Sequence, residues 1–202
     1  MTSRTVIGLT GGIGTGKSTA AQTLASLGAV IVDCDQLGRD VVEPGGGAHE
    51  GLIDHFGPSI VGEAGTIIRP ALAKLAFADE ASLAALNAIT HPAIDTEIQR
   101  QIDHSPTEAV VVLDMAVLVE SDLGAGMYHK VLVVESPLEL RIDRLVTLRK
   151  MDRADALARI QSQATDEQRR AVADWVLTND ADIADFEAAV TQWWHREIPL
   201  SA

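Results

Sequence analysis

The residues best suited to chemistry lie close to the amino end, as Gly11-Gly12-Ile13-Gly14-Thr15-Gly16-Lys17-Ser18. They fit the Gly-x-x-x-x-Gly-Lys-Ser pattern of a phosphate-binding loop, set between an apolar run and a helix-forming segment. Glycines let the backbone approach an anion closely enough for its N–H groups to face the phosphate oxygens. A helix beginning near Lys17 aims its positive end at the same place. Lys17 adds a mobile cation, and the Ser18 hydroxyl is a hard oxygen ligand suited to Mg²⁺. The pattern predicts a nucleoside triphosphate site formed by Gly12, Ile13, Gly14, Thr15, Gly16, Lys17, Ser18 and Thr19.

Carboxylates stand where the next strands should end. Asp33-Cys34-Asp35 follows one apolar run, with Arg39 a helical turn further on, and Asp114 closes Val110-Val111-Val112-Leu113, with Glu120 six residues later. Parallel strands deliver their carboxyl ends to one edge of a sheet, so these acids are expected beside the phosphate loop. There a carboxylate can orient or deprotonate an attacking hydroxyl. Two structural roles compete: Asp35 as the cap of a helix starting at Gln36, and Asp114 as a helix cap rather than a holder of metal-shell water. Cys34 reads as a small packing residue, because no base or metal partner stands at a recognisable spacing. The six histidines show no metal-ligand spacing, and no zinc site is suggested.

Cations cluster from Arg141 to Arg170, with eight basic residues against five acids in an otherwise acidic chain. Leu138, Ile142, Leu145 and Leu148 form an apolar helical stripe with Arg141 and Arg144 along its edge, and Arg149 falls on the stripe if the helix continues. Phosphoryl transfer needs more positive charge than one lysine supplies. One or more of these arginines is therefore expected to close over the nucleotide as a lid.

The elements that must position these groups follow from periodicity. Short runs rich in β-branched residues, at 5–9, 29–32, 109–113, 130–134 and 175–177, alternate with helix-period segments such as 17–27, which Gly28 closes. The third and fourth runs are almost unbroken in apolar character, which suits parallel strands covered on both faces. About 76 residues separate the second and third runs, so an inserted helical region is expected there. Its helices are predicted near Pro70, over 71–77 and 82–89, with His91-Pro92 opening another after Thr90. Gly45-Gly46-Gly47 reads as a hinge ahead of the insert, and Trp193-Trp194 as packing against the sheet edge.

The chain has 202 residues and a formal charge of −13. Such a balance argues against a general grip on nucleic acid, which needs a basic face. A lone cysteine, no export-like amino terminus and no long apolar run point to a cytoplasmic domain without a membrane partner. A monomer is expected, with oligomerisation left open.

Taken in order, these motifs resemble the dephospho-coenzyme A kinase family of P-loop kinases over nearly the whole chain. The resemblance rests on Gly8 through Ser18, on Asp33-Cys34-Asp35 with Arg39, on Arg69 to Phe77, on His91-Pro92 and on Asp114 to Glu120. Arg144 with Arg149, Gln163, and Ala173-Asp174 with Asn179 complete it. It implies an α/β P-loop kinase fold, with a five-stranded parallel sheet flanked by helices (core about 1–40, 105–140 and 170–202). A helical CoA-binding insert (about 41–104) and a lid (about 141–169) belong to the same single domain. The implied reaction is phosphorylation of the ribose 3′-hydroxyl of dephospho-CoA by ATP with Mg²⁺.

Carried over by position, the resemblance makes Lys17, Asp35, Arg144 and Asp33 catalytic, with Asp35 the favoured base. It puts Thr10, Asp33, Arg39, Arg69, His91, Asp114 and Glu120 on the acceptor side, Arg149 in the lid and Asn179 near adenine. One departure stands out: the family's Asp-x-Pro-Leu-Leu-x-Glu has Ala116 here in place of the proline.

Two alternatives compete. One is a kinase of the same architecture acting on a nucleoside monophosphate or small metabolite. The other is a nucleotide-dependent switch, which Asp35-Gln36-Leu37-Gly38 superficially fits. None of the four lysines follows Asn or Thr, so the guanine-reading Asn/Thr-Lys-x-Asp element is missing.

Overall fold

Apolar runs buried along nearly their whole length become the central strands of a sheet. The computed structural model describes residues 4–198, and its strands are β1 (Thr5–Thr10), β2 (Val30–Asp33), β3 (Val110–Asp114), β4 (Lys130–Glu135) and β5 (Trp175–Thr178). They form one five-stranded sheet in the order β2-β3-β1-β4-β5. The β1·β3, β1·β4 and β4·β5 pairings are parallel, with Leu9 opposite Asp114 and Thr10 opposite Val133. Each strand agrees with the run predicted for it to within a residue at either end.

The chain divides into two compact units, one of residues 1–32 and 105–202 and the other of residues 33–104. In the first, β1 runs through a glycine loop into α1 (Lys17–Ser26). After β4 come α6 (Leu138–Arg149), α7 (Arg153–Gln161) and α8 (Asp166–Val172), and α9 (Ile183–Glu197) follows β5. Ile7, Leu9, Val112, Leu132 and Val134 turn to one face of the sheet, where Leu24 of α1 and Phe186, Val190, Trp193 and Trp194 of α9 cover them. The tryptophans pack on the sheet as predicted, but over its face rather than its edge, and Trp193 also meets Trp175 edge to face at 5.3 Å. On the other face a Cβ on Gly8 would lie 2.6 Å from Leu118, so that side is close-packed too. Strands buried on both faces explain the unbroken apolar runs.

The second unit holds α2 (Cys34–Asp40), α3 (His49–Phe56), α4 (Arg69–Ala76) and α5 (Glu80–His104). Pro70 sits in the first turn of α4, as predicted. The predicted helix at 82–89 and the one expected to open at His91-Pro92 are a single helix, α5, with Pro92 inside it. A proline removes one backbone bond and does not end a helix that tertiary packing holds. Here Ile94, Ile98 and Ile102, four residues apart, are all buried. The Gly45–Gly47 stretch is a series of hydrogen-bonded turns, with Gly46 N–H donating to Glu43 O and Ala48 N–H to Val41 O.

Two local details differ from the sequence reading. The cap of α2 is Asp33, which accepts from Gln36 N–H at 2.7 Å, so Asp35 does not serve as that cap. On α6 only Ile142 and Leu145 of the apolar stripe are buried, while Leu148 is 78% exposed. Arg141, expected along the edge, is buried. No helix among the described residues is long and apolar enough to cross a membrane.

The register of β5 is held by a side chain. Asp174 accepts from Val131 N–H at 2.8 Å and from Lys130 Nζ at 2.6 Å, and these partners, Lys130 foremost, hold its carboxyl below the ordinary aspartate range. A carboxylate with a lowered native pKa contributes stability above the unfolded value and loses it as pH falls through the native value. Asp174→Ala is therefore expected to cost about 1–2 kcal/mol near neutrality. Urea unfolding of the two proteins should show that difference shrinking below pH 4. A difference independent of pH would contradict the assignment.

Candidate active site

The phosphate loop and the side chains around it lie in the first unit. The loop Gly11–Gly16 leaves the buried end of β1 and enters α1 through Gly16, which caps the helix with φ of 96°. Gly14 has φ of 82°. Both values lie in the left-handed region that side chains avoid, so the loop's path requires glycine at these positions. Thr15 is buried, and its hydroxyl donates to Gly12 O at 2.9 Å, which tightens the turn. No acid lies in the first turn of α1, and no side chain caps it. The positive end of the helix is left for an external anion. Ser18 is exposed, and Thr19 is partly exposed beside it.

Successive carbonyls of the loop are taken by side chains. Arg141 Nε donates to Ile13 O at 3.0 Å, Arg144 Nη1 to Gly14 O at 3.3 Å, and Asn179 Nδ2 to Thr15 O at 2.8 Å. Arg144 also donates to Asn179 Oδ1 at 2.8 Å and Ser136 Oγ at 3.1 Å, joining α6 to the end of β5. Burial pushes both guanidinium groups below their ordinary value, and for Arg141 nearby Asp166 partly offsets the effect. Arginine titrates so high that both remain cations. A trans peptide points its C=O and the next N–H in opposite directions. With these carbonyls committed to side chains, the amides of Gly14 and Gly16 are turned away from them.

Lys17 forms an ion pair with Asp114, both side chains largely buried. Met115 N–H donates to Leu9 O at 2.9 Å, extending the β1·β3 ladder past Asp114. Thr10, fully buried, directs its hydroxyl at Ala116 O with a long 3.4 Å contact. These bonds restrain the segment that begins at Met115 and Ala116. At the segment's far end Glu120 pairs with Arg169 at 2.7 Å. Arg149 is exposed at the last turn of α6, and Lys150 beyond it takes φ of 55°.

The remaining predicted residues belong to the second unit. Asp33 is exposed and spends one carboxylate oxygen on the α2 cap, and Asp35 stands in the first turn of that helix. Arg39 Nε donates to Gln36 Oε1 at 2.9 Å. Arg69 pairs with Glu43 at 2.9 Å, both about half exposed. His91 is partly exposed within α5.

The first unit thus brings together the loop, Lys17, Asp114, Arg144 and Asn179, while Asp33, Asp35, Arg39, Arg69 and His91 lie in the other. The residue reading missed Arg141 as a loop contact and gave no role to Ser136, Asp166 or Arg169. The only local signal was a pair of arginines three apart on a helix. Their partner carbonyls lie about 130 residues away.

What the arrangement can do is bind a polyphosphate at the start of α1, with a lysine beside it and a carboxylate within reach of that lysine. Among the described residues no cluster of three or more His, Cys, Asp or Glu can hold a metal ion.

The family model described as dephospho-CoA kinase matches residues 5–185. A dephospho-CoA kinase of Thermobifida fusca is 40% identical over 188 residues, covering 93% of this chain and 94% of that protein. Another, of Mycolicibacterium paratuberculosis, is 45% identical over 95% of this chain, which spans only 47% of that relative's length. The crystal structure of TT1252 from Thermus thermophilus aligns with a TM-score of 0.82 at 32% identity, over 98% of this chain and 100% of that one. With its loop, its sheet and these relatives in agreement, the chain belongs to the dephospho-CoA kinase family.

Proposed function

We propose that this chain transfers the γ-phosphoryl group of ATP to the ribose 3′-hydroxyl of dephospho-CoA, yielding coenzyme A and ADP. The observation that carries the reading is the phosphate loop itself, its carbonyls committed to Arg141, Arg144 and Asn179 at the uncapped start of α1. Family membership supports the acceptor.

In this reading the amides of the loop and Lys17 bind the ATP phosphates, and Lys17 exchanges Asp114 for phosphate oxygens. Arg144 keeps a positive charge beside the loop as charge spreads over the transferring group. Asp35 accepts the proton of the 3′-hydroxyl while Asp33 orients that hydroxyl. A bond forms between the 3′-oxygen and the γ-phosphorus, and the bond to the β,γ-bridging oxygen breaks. Arg39, Arg69 and His91 serve the acceptor, while Arg149 and Asn179 serve the nucleotide.

Mg²⁺ fits the donors present: Ser18 supplies an exposed hydroxyl at the head of α1, and Asp114 a nearby carboxylate for its water shell. When bound, the cation offsets phosphate charge. Cytoplasmic residence accords with this chemistry.

The direct test is ADP release with ATP and Mg²⁺ against a panel of dephospho-CoA, adenosine monophosphate, gluconate and shikimate. Dephospho-CoA should exceed every other acceptor in kcat/KM by at least about a hundredfold. Another acceptor winning by that margin would overturn the assignment. Removing the proton acceptor while sparing the phosphate cradle separates the two halves of the site. Asp35→Asn should lower kcat about 10²- to 10⁴-fold and leave ATP affinity within about twofold. An unchanged kcat would move the base elsewhere.

A further inference from the structure

Ile13 of the phosphate loop is gripped on both of its backbone groups by side chains from far along the chain. Gln163 Oε1 accepts its N–H at 2.7 Å, and Arg141 Nε donates to its C=O at 3.0 Å. Gln163 is itself held through its neighbour. The N–H of Ala164 donates to Glu120 Oε1 at 2.8 Å, and its C=O accepts from Arg169. Glu120 and Arg169 close that ring as an ion pair in which the arginine side chain is 1% exposed. Arg141 meets the same segment at Asp166, 3.2 Å away.

Long-range polar contacts therefore converge on the start of α8, on the short connection before it and on one residue of the loop. A buried ion pair adds little net stability over an apolar replacement, because desolvation offsets the attraction. What this one supplies is a fixed position for the backbone at 163–164. A carboxamide oxygen on an exposed connection would otherwise lose rotamer freedom for a single neutral hydrogen bond.

We propose that Gln163 is a positioning residue for nucleotide binding. Anchored by Glu120 and Arg169, its carboxamide acts with Arg141 to set the peptide units on either side of Ile13. The Gly14 N–H is thereby aimed into the phosphate cradle. The orientation follows from the trans peptide: an Ile13 C=O drawn toward Arg141 sends the Gly14 N–H the opposite way. The inference rests on the nucleotide-site reading of the loop, and it gives Glu120 a task on the nucleotide side, where the family resemblance implies the acceptor side.

Gln163→Met keeps length and bulk but removes the acceptor, whereas Gln163→Glu restores one. ADP binding, measured by calorimetry without any acceptor substrate, should weaken about 5- to 20-fold in Gln163→Met. Amide exchange at Ile13 should quicken at least about tenfold, and Gln163→Glu should recover most of that protection. KM for ATP should rise in proportion, with kcat and the KM for dephospho-CoA within about twofold of wild type. Glu120→Gln should weaken ADP binding in the wild-type background and add nothing in the Gln163→Met background, because it acts through the same residue.

Unchanged ADP affinity and unchanged Ile13 exchange in Gln163→Met would overturn the proposal, and so would a lowered Tm with neither readout moved. Failure of the dephospho-CoA assignment would look different: wild-type protein that binds ADP normally and forms no coenzyme A.

Discussion

The direction in which three peptide carbonyls point governs this molecule's chemistry. Ile13, Gly14 and Thr15 give their C=O groups to Arg141, Arg144 and Asn179. Had those carbonyls faced the other way, the loop would present oxygens to an anion and repel it. The donors come from α6 and from the end of β5, so the sheet, the crossover after β4 and the last strand all serve to place them. Gly14 and Gly16 supply the left-handed turns that let neighbouring peptides share one orientation. The uncapped start of α1 then adds its dipole to the same spot.

The segment after β3 links two charged pairs. At one end Asp114 balances Lys17, which keeps a partly buried ammonium from standing unpaired before phosphate arrives. At the other end Glu120 balances Arg169 beneath the α7–α8 connection. With Ala116 where a proline would fix φ, this segment is held by Met115 N–H bonding Leu9 O and by the Thr10 contact to Ala116 O. Loss of a fixed φ is met by backbone pairing instead.

Much of this was legible in the residues alone. Strands covered on both faces read as apolar runs, and the glycine loop read directly because its spacing is dictated by phosphate geometry. Three features were not legible. Pro92 resembles a helix boundary, yet α5 runs through it, with Ile94, Ile98 and Ile102 buried on its carboxyl side. Arg141 looks like a solvated edge charge, and its burial makes sense only when Ile13 O and Asp166 are brought to it from distant positions. Asp33 took the helix cap because its carboxylate sits three residues before Gln36 N–H, which the shared Asp-x-Asp chemistry could not decide. The acceptor is the least legible of all: the loop's geometry supports a proposed place for a triphosphate, whereas the choice of alcohol rests on membership in the dephospho-CoA kinase family.

The central claim is that main-chain amides at the head of α1, set by carbonyl-binding side chains, grip the triphosphate. A crystal structure with adenylyl imidodiphosphate and Mg²⁺ tests it most directly. The account predicts phosphate oxygens within about 3 Å of the Gly14, Gly16, Lys17 and Ser18 amides. The Arg141, Arg144 and Asn179 contacts should remain in place, and Lys17 should have left Asp114 for phosphate. Nucleotide bound elsewhere, or those three carbonyls turned toward the phosphates, would contradict it.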